Sequence, residues 1–89
     1  MSNATLTKPR IAAVEPALLR RPDAARMMGM GQSTLDRHDA AGLVPEAKKI
    51  GGVKAWSVLE IRAWIEAGCP DRAKWVPLWA EMQRRNARS

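Results

Sequence analysis

Apolar residues recur along the chain at spacings that change from segment to segment, and each spacing predicts a different element. Ala24, Ala25 and Met28 share one helical face, with Leu18 and Leu19 placed to pack beneath it, so the first helix is predicted over 22–28. Pro22 suits the start of a helix, and Asp23 is favourable against the positive end of its dipole. Gly29-Met30-Gly31 stops this helix in a tight turn, with Met30 directed inward and Gly31 serving as N-cap of the next helix. That second helix is predicted over 32–41, ended by Gly42 and blocked further on by Pro45. Leu35 is its single large apolar residue. A helix anchored on Leu35 and Ala40 leaves a broad polar face carrying Gln32, Ser33, Thr34, Asp36, Arg37 and His38.

The period then shortens. From Lys48 to Trp56 basic and apolar residues alternate around Gly51-Gly52, the pattern of a short hairpin with a primed turn. Ser57 and Glu60 form a capping box, and Val58, Ile61, Trp64 and Ile65 give the third helix an apolar face through Ala67 before Gly68 ends it. Beyond Cys69-Pro70-Asp71 the helical period resumes in Trp75, Leu78, Trp79 and Met82. Pro77 divides this tail into two predicted short helical stretches. Residues 1–17 have no sustained apolar period and are expected to form a flexible arm. The chain thus divides into an arm (1–17), a domain (18–68) and a helical extension with a basic end (69–89).

Composition narrows the function. The 89 residues allow one domain with a small core; Phe and Tyr are absent, and the four tryptophans lie in the C-terminal half, where the core is expected to centre. The single Cys69 has no second thiol to pair with and is expected to be a partly buried loop residue. Neither a metal nor any other cofactor is expected. Apolar runs are too short for a membrane span and the first residues lack the order of a secretory signal, so a cytoplasmic location is expected, without a membrane partner. Fifteen basic against nine acidic residues give +6, and the positive charge brackets a near-neutral third helix. A pI near 10.5 suits a polyanionic partner, because lysines and arginines displace counterions from phosphates.

Helix, glycine-containing turn and polar helix make the layout of a helix-turn-helix, in which the first helix props the second against base edges. The stretch from Leu18 to Gly68 resembles the MerR-like winged helix-turn-helix domains of AlpA-type regulators and phage excisionases. The resemblance is carried by Leu18-Leu19, Asp23-Ala24-Ala25, Met28-Gly29, the run from Gln32 to Arg37, Gly42, Pro45, the Ile50-Gly51-Gly52 to Trp56 segment and the capped helix at Ser57. Gly31 stands where that family often has Ser or Thr, and Asp36 where it often has an aromatic. The resemblance implies a mainly α fold with a small β-hairpin wing. It implies that Gln32, Ser33 and Arg37 contact the major groove of double-stranded DNA, while Lys49 and Lys54 of the wing touch backbone or minor groove.

Side-chain chemistry is compatible with that assignment. Arg37 can donate two bonds to guanine, Gln32 can pair with adenine, and the hydroxyls of Ser33 and Thr34 suit phosphate oxygens or a thymine edge. Lys48, Lys49 and Lys54 beside the Gly-Gly tip suit close approach to a backbone, the favoured reading over edge-strand charges that guard a sheet edge against aggregation. Ser33 and Thr34 could serve only the free amides of the helix start, and Arg37 could pair with Asp39 on a solvated face. The role implied is a small transcription regulator or an excisionase-like recombination directionality factor, with a second copy or a recombinase as further partner and no small-molecule effector. An enzyme is not expected, for the chain has one His, one Cys and no phosphate-binding glycine loop. The rival reading is a protein-interaction module docking a partner through Trp75 and Trp79.

Overall fold

A computed structural model of the chain describes residues 17–88, so the expected flexible arm lies outside the described residues except for Ala17. Arg20, in extended backbone, opens α1 (Arg21–Met27) with Pro22 in its first turn, where a missing N–H forfeits no intrahelical bond. Ala24 and Ala25 are buried, and their small side chains let α1 press closely on its neighbours. At its end the Gly29 amide donates to Arg26 O (3.0 Å) and the Met30 amide to Ala25 O (2.9 Å). That pair of bonds requires a left-handed residue between them, and Gly29 supplies it at φ +75. Met30 is half-buried against the core, as the sequence predicts. The same two bonds close α2 (Gln32–Ala40) through Gly42 and Leu43, and α3 (Val58–Glu66) through Gly68 and Cys69.

Cys69 corrects an expectation. The chain reverses through two consecutive left-handed residues, Gly68 and Cys69, with the Cys69 amide committed to Trp64 O, and this turns the thiol outward into an exposed position.

Three antiparallel strands, β1 (Leu18–Leu19), β2 (Lys48–Ile50) and β3 (Val53–Ser57), lie in the order β1-β3-β2. Gly51 and Gly52 both take positive φ, the primed turn that matches strand twist, and set Lys48 opposite Ala55, Lys49 opposite Lys54 and Ile50 opposite Val53. Strand β1 is not foreseen by periodicity. β3 runs past the end of β2, and its other edge finds a partner in the residues ahead of α1, with Leu18 opposite Ser57 and Leu19 opposite Trp56. The Val58 amide donating to Ala17 O (3.0 Å) extends this stitch to the start of α3.

The tail is the largest departure from the sequence reading. Instead of two stretches broken at Pro77, one helix, α4 (Arg72–Arg88), runs through it. Pro77 removes one amide and crowds the Ala73 carbonyl, but Trp75 before it and Trp79 after it both pack inward, and that burial outweighs the local cost. Replacing Pro77 with Ala is therefore expected to raise stability by about 1–3 kcal/mol, read as a higher thermal midpoint. An unchanged midpoint would mean that the proline is unstrained.

The core joins Ala24, Ala25, Leu35, Val44, Trp56, Ile61, Trp64 and Trp75 into one cluster, so its centre is shared with α1 and α2 rather than confined to the C-terminal half. Burying tryptophan requires a partner for its N–H. Trp56 donates to Pro45 O (3.0 Å), Trp64 to Pro70 O (2.8 Å) and Trp75 to Glu60 Oε2 (2.8 Å). Ser57 Oγ accepts from the Glu60 amide (3.1 Å), the forward half of the capping box, while the Glu60 carboxylate reaches inward to Trp75.

Candidate functional site

Helix α2 places one side chain, Leu35, wholly in the core. His38 and Asp39, one turn on, flank it half-buried; Ala40, expected beside Leu35, is exposed instead, because three and four residues from Leu35 lie positions 38 and 39. Gln32, Ser33, Asp36 and Arg37 are exposed and Thr34 is half-buried, so the predicted polar face is present as a continuous strip along the helix. Gly31 caps the helix by backbone conformation alone, without a side-chain cap bond. Arg37 Nη2 donates to Thr34 Oγ1 (3.4 Å), one turn back on the same strip, rather than to Asp39.

Both acids of α2 carry cationic partners. Arg21, at the start of α1, donates from Nη1 to the Asp36 carboxylate (3.3 and 3.4 Å) and from Nε to Gln32 Oε1 (3.3 Å). Asp39 is a two-sided acceptor: Oδ1 takes Arg72 Nη2 at 2.7 Å and Oδ2 takes Lys54 Nζ at 2.9 Å. Arg72 also donates to the backbone oxygens of Val44 (3.1 Å) and Asp39 (3.3 Å), and its amide donates to Gly42 O (2.9 Å). The end of α2 is thereby clamped to the start of α4 and to the hairpin. These ties cancel locally the repulsion that Asp36 and Asp39 would exert on a polyanion.

The three lysines of the hairpin do not act as one group. Lys49 and Lys54 face each other across the strands on the side that bears Trp56, and with Asp39 and Arg72 they border a shallow cavity of about 300 Å³. Two like charges directly opposed repel, and Asp39 relieves this by pairing with Lys54. Lys48 lies on the other side of the pleat, bordering a cavity with Trp75, Trp79 and Gln83, away from the strip of α2. The alternation of a strand carries this signal, since residues 48 and 49 must point to opposite faces.

A second open cleft, of about 470 Å³, lies between the start of α1, α2 and β3. Arg20, Arg21, Gln32, Asp36 and Lys54 line it, so it brings two arginines beside residues already singled out. The sequence reading missed Arg20 and Arg21, although an adjacent basic pair directly before the Pro22 helix start was visible. Of the rival surface, Trp75 is buried and Trp79 stacks on it with ring centroids 5.5 Å apart, leaving Trp79 and Met82 half-buried beside the exposed Leu59. Among the described residues no cluster of His, Cys, Asp and Glu is placed to hold a metal ion, and no helix is long and apolar enough to cross a membrane. No known protein family, curated protein or solved structure matches this chain.

Proposed function

We propose that the chain binds double-stranded DNA sequence-specifically as a winged helix-turn-helix of the MerR-like kind, with α2 in the major groove and the β2–β3 hairpin as the wing. The observation that carries this reading is α2 itself: it gives only Leu35 fully to the core, exposes Gln32, Ser33 and Arg37 on one strip, and has both of its acids neutralised by neighbouring cations. Arg37 would read a base edge or hold a phosphate, and Ser33 and Thr34 would accept or donate at the backbone. Lys49 and Lys54 of the wing, together with Arg20, would follow the phosphates on either side of the groove. Lys48, on the opposite face of the hairpin, makes the least direct contribution. Within this reading the protein serves as a small transcription regulator or as an excisionase-like factor that steers recombination by shaping DNA, alone or with a second copy or a recombinase.

The test is a fluorescence-anisotropy titration of labelled mixed-sequence duplex with the wild type and Arg37→Ala at two salt concentrations. Binding is expected to weaken steeply as salt rises, since each neutralised phosphate releases counterions. Arg37→Ala is expected to weaken this binding and, when the titration is repeated on a site selected from random sequence, to lose about 5- to 150-fold in affinity, the worth of one bidentate contact. A folded wild type that fails to bind at low salt would overturn the proposal and direct attention to the Trp79 and Met82 surface.

A further inference from the structure

The β2–β3 hairpin ends in apolar side chains that cover nothing. Ile50 and Val53 stand directly opposite each other on the two sides of the Gly51-Gly52 turn, and they are 54% and 42% exposed. Neither belongs to the core cluster or to the half-buried residues packed against it. Both types suit a strand, but threonine suits one as well without leaving so much apolar surface in water. Ile50 is the larger and more exposed of the two, while Val53 also borders the cleft that holds Arg20 and Gln32. The tip itself is slender, for the two glycines carry no side chain and open space lies where a Cβ would stand on either.

One residue back from this pair, on the other face of the pleat, Lys49 and Lys54 oppose each other, so the apolar tip is continuous with the cationic surface proposed to follow phosphates. A ribbon that is apolar at its end and cationic behind it complements a DNA groove, whose walls are phosphates and whose floor is stacked base pairs. The minor groove is roughly 6 Å wide, too narrow for a two-stranded ribbon with its side chains unless the groove opens. Parting one base step opens it and kinks the duplex by about 20–90°. Isoleucine suits such a wedge, being apolar and, through its branched Cβ, already restricted in rotamer. We propose that Ile50, backed by Val53, is a wedge that inserts between base pairs in the minor groove beside the α2 site and kinks the duplex. The inference rests on the DNA-binding reading given above and adds to it that the wing deforms the duplex instead of only following its phosphates.

The experiment uses a duplex selected from random sequence by the wild type, and compares the wild type with Ile50→Thr, Ile50→Leu and Lys49→Ala, each at saturating protein. A donor and acceptor on the two ends report bending, and the fluorescent adenine analogue aminopurine, placed in turn along the sequence flanking the α2 contact, brightens where a step is unstacked. Ile50 is exposed and outside the core, and circular dichroism establishes that each variant is folded. The wild type is expected to kink the duplex by about 20° or more and to brighten one position. Ile50→Thr keeps a β-branched strand residue and is expected to lose both signals, whereas Ile50→Leu keeps both. Lys49→Ala is expected to bind more weakly with a shallower salt dependence, yet to keep both signals once saturated. Kinking by Ile50→Thr equal to that of the wild type would overturn the inference. A wild-type complex that stays straight and stacked would overturn it with DNA binding intact, leaving the tip to a protein partner. A folded wild type that selects no duplex would overturn both.

Discussion

Replacing Trp75 with alanine is expected to destabilise the protein by about 3–5 kcal/mol, the cost of removing a fully buried aromatic side chain and leaving a cavity. Trp75 is 1% exposed, stacks on Trp79 and donates its indole N–H to the buried carboxylate of Glu60 at 2.8 Å. A domain of this size has roughly 4–13 kcal/mol to lose, so the variant is expected to forfeit a large share of its stability, read as a lower urea midpoint followed by far-ultraviolet circular dichroism. The pair with Glu60 divides the effect. Glu60→Gln keeps an acceptor of nearly the same shape and is expected to be mild, whereas Glu60→Leu strands the indole donor and is expected to cost about 1–3 kcal/mol. A loss below about 1 kcal/mol for Trp75→Ala would mean that α4 rests on the surface and does not complete the core.

What was legible in the sequence is what is local. The glycine stops at 29, 42 and 68, the Ser57 cap and the Gly51-Gly52 turn each depend on residues within five positions of one another, and the structure has each of them where the pattern predicts. The exposed strip of α2 was legible for the same reason, because a helix with one leucine can bury little else. Pro77 misled because the rule against interior proline weighs only the backbone. The burial of Trp75 below it and Trp79 above it enters from packing that the sequence does not spell out. Strand β1 escaped notice since two leucines are too few to establish a period. The ion pairs escaped for want of proximity: Arg21 lies 15 residues from Asp36, and Arg72 lies 33 from Asp39. For the candidate site the consequence is specific. Residue types and exposure at 32, 33 and 37 follow from the pattern, but the engagement of Gln32 by Arg21 and of Lys54 by Asp39 follows only from the tertiary arrangement.

Asp39→Ala is expected to lower stability by about 2 kcal/mol, which in a domain of this size is a fall of roughly 8–16 °C in thermal midpoint. Its carboxylate is 16% exposed and Arg72 26%, sheltered enough for the 2.7 Å bond to count, while Lys54, half in solvent, adds little. Arg72 retains its bonds to the backbone oxygens of Val44 and Asp39, so the variant is expected to fold. A double-mutant cycle with Arg72→Ala is expected to return a coupling of about 1–2 kcal/mol, and a coupling below about 0.5 kcal/mol would reduce the clamp to a solvated surface pair. The effect on DNA has the opposite sign. Removing the acid releases Lys54 beside Lys49 and takes a negative charge from the surface proposed to face phosphate, so nonspecific affinity per folded molecule is expected to rise and its salt dependence to steepen by about one counterion. A drop in affinity alongside the drop in stability would instead mean that the clamp holds α2 and the hairpin at the spacing DNA requires. The sign of that change separates the charge of Asp39 from its role as a tether, and the two together account for an acid in the middle of a basic surface.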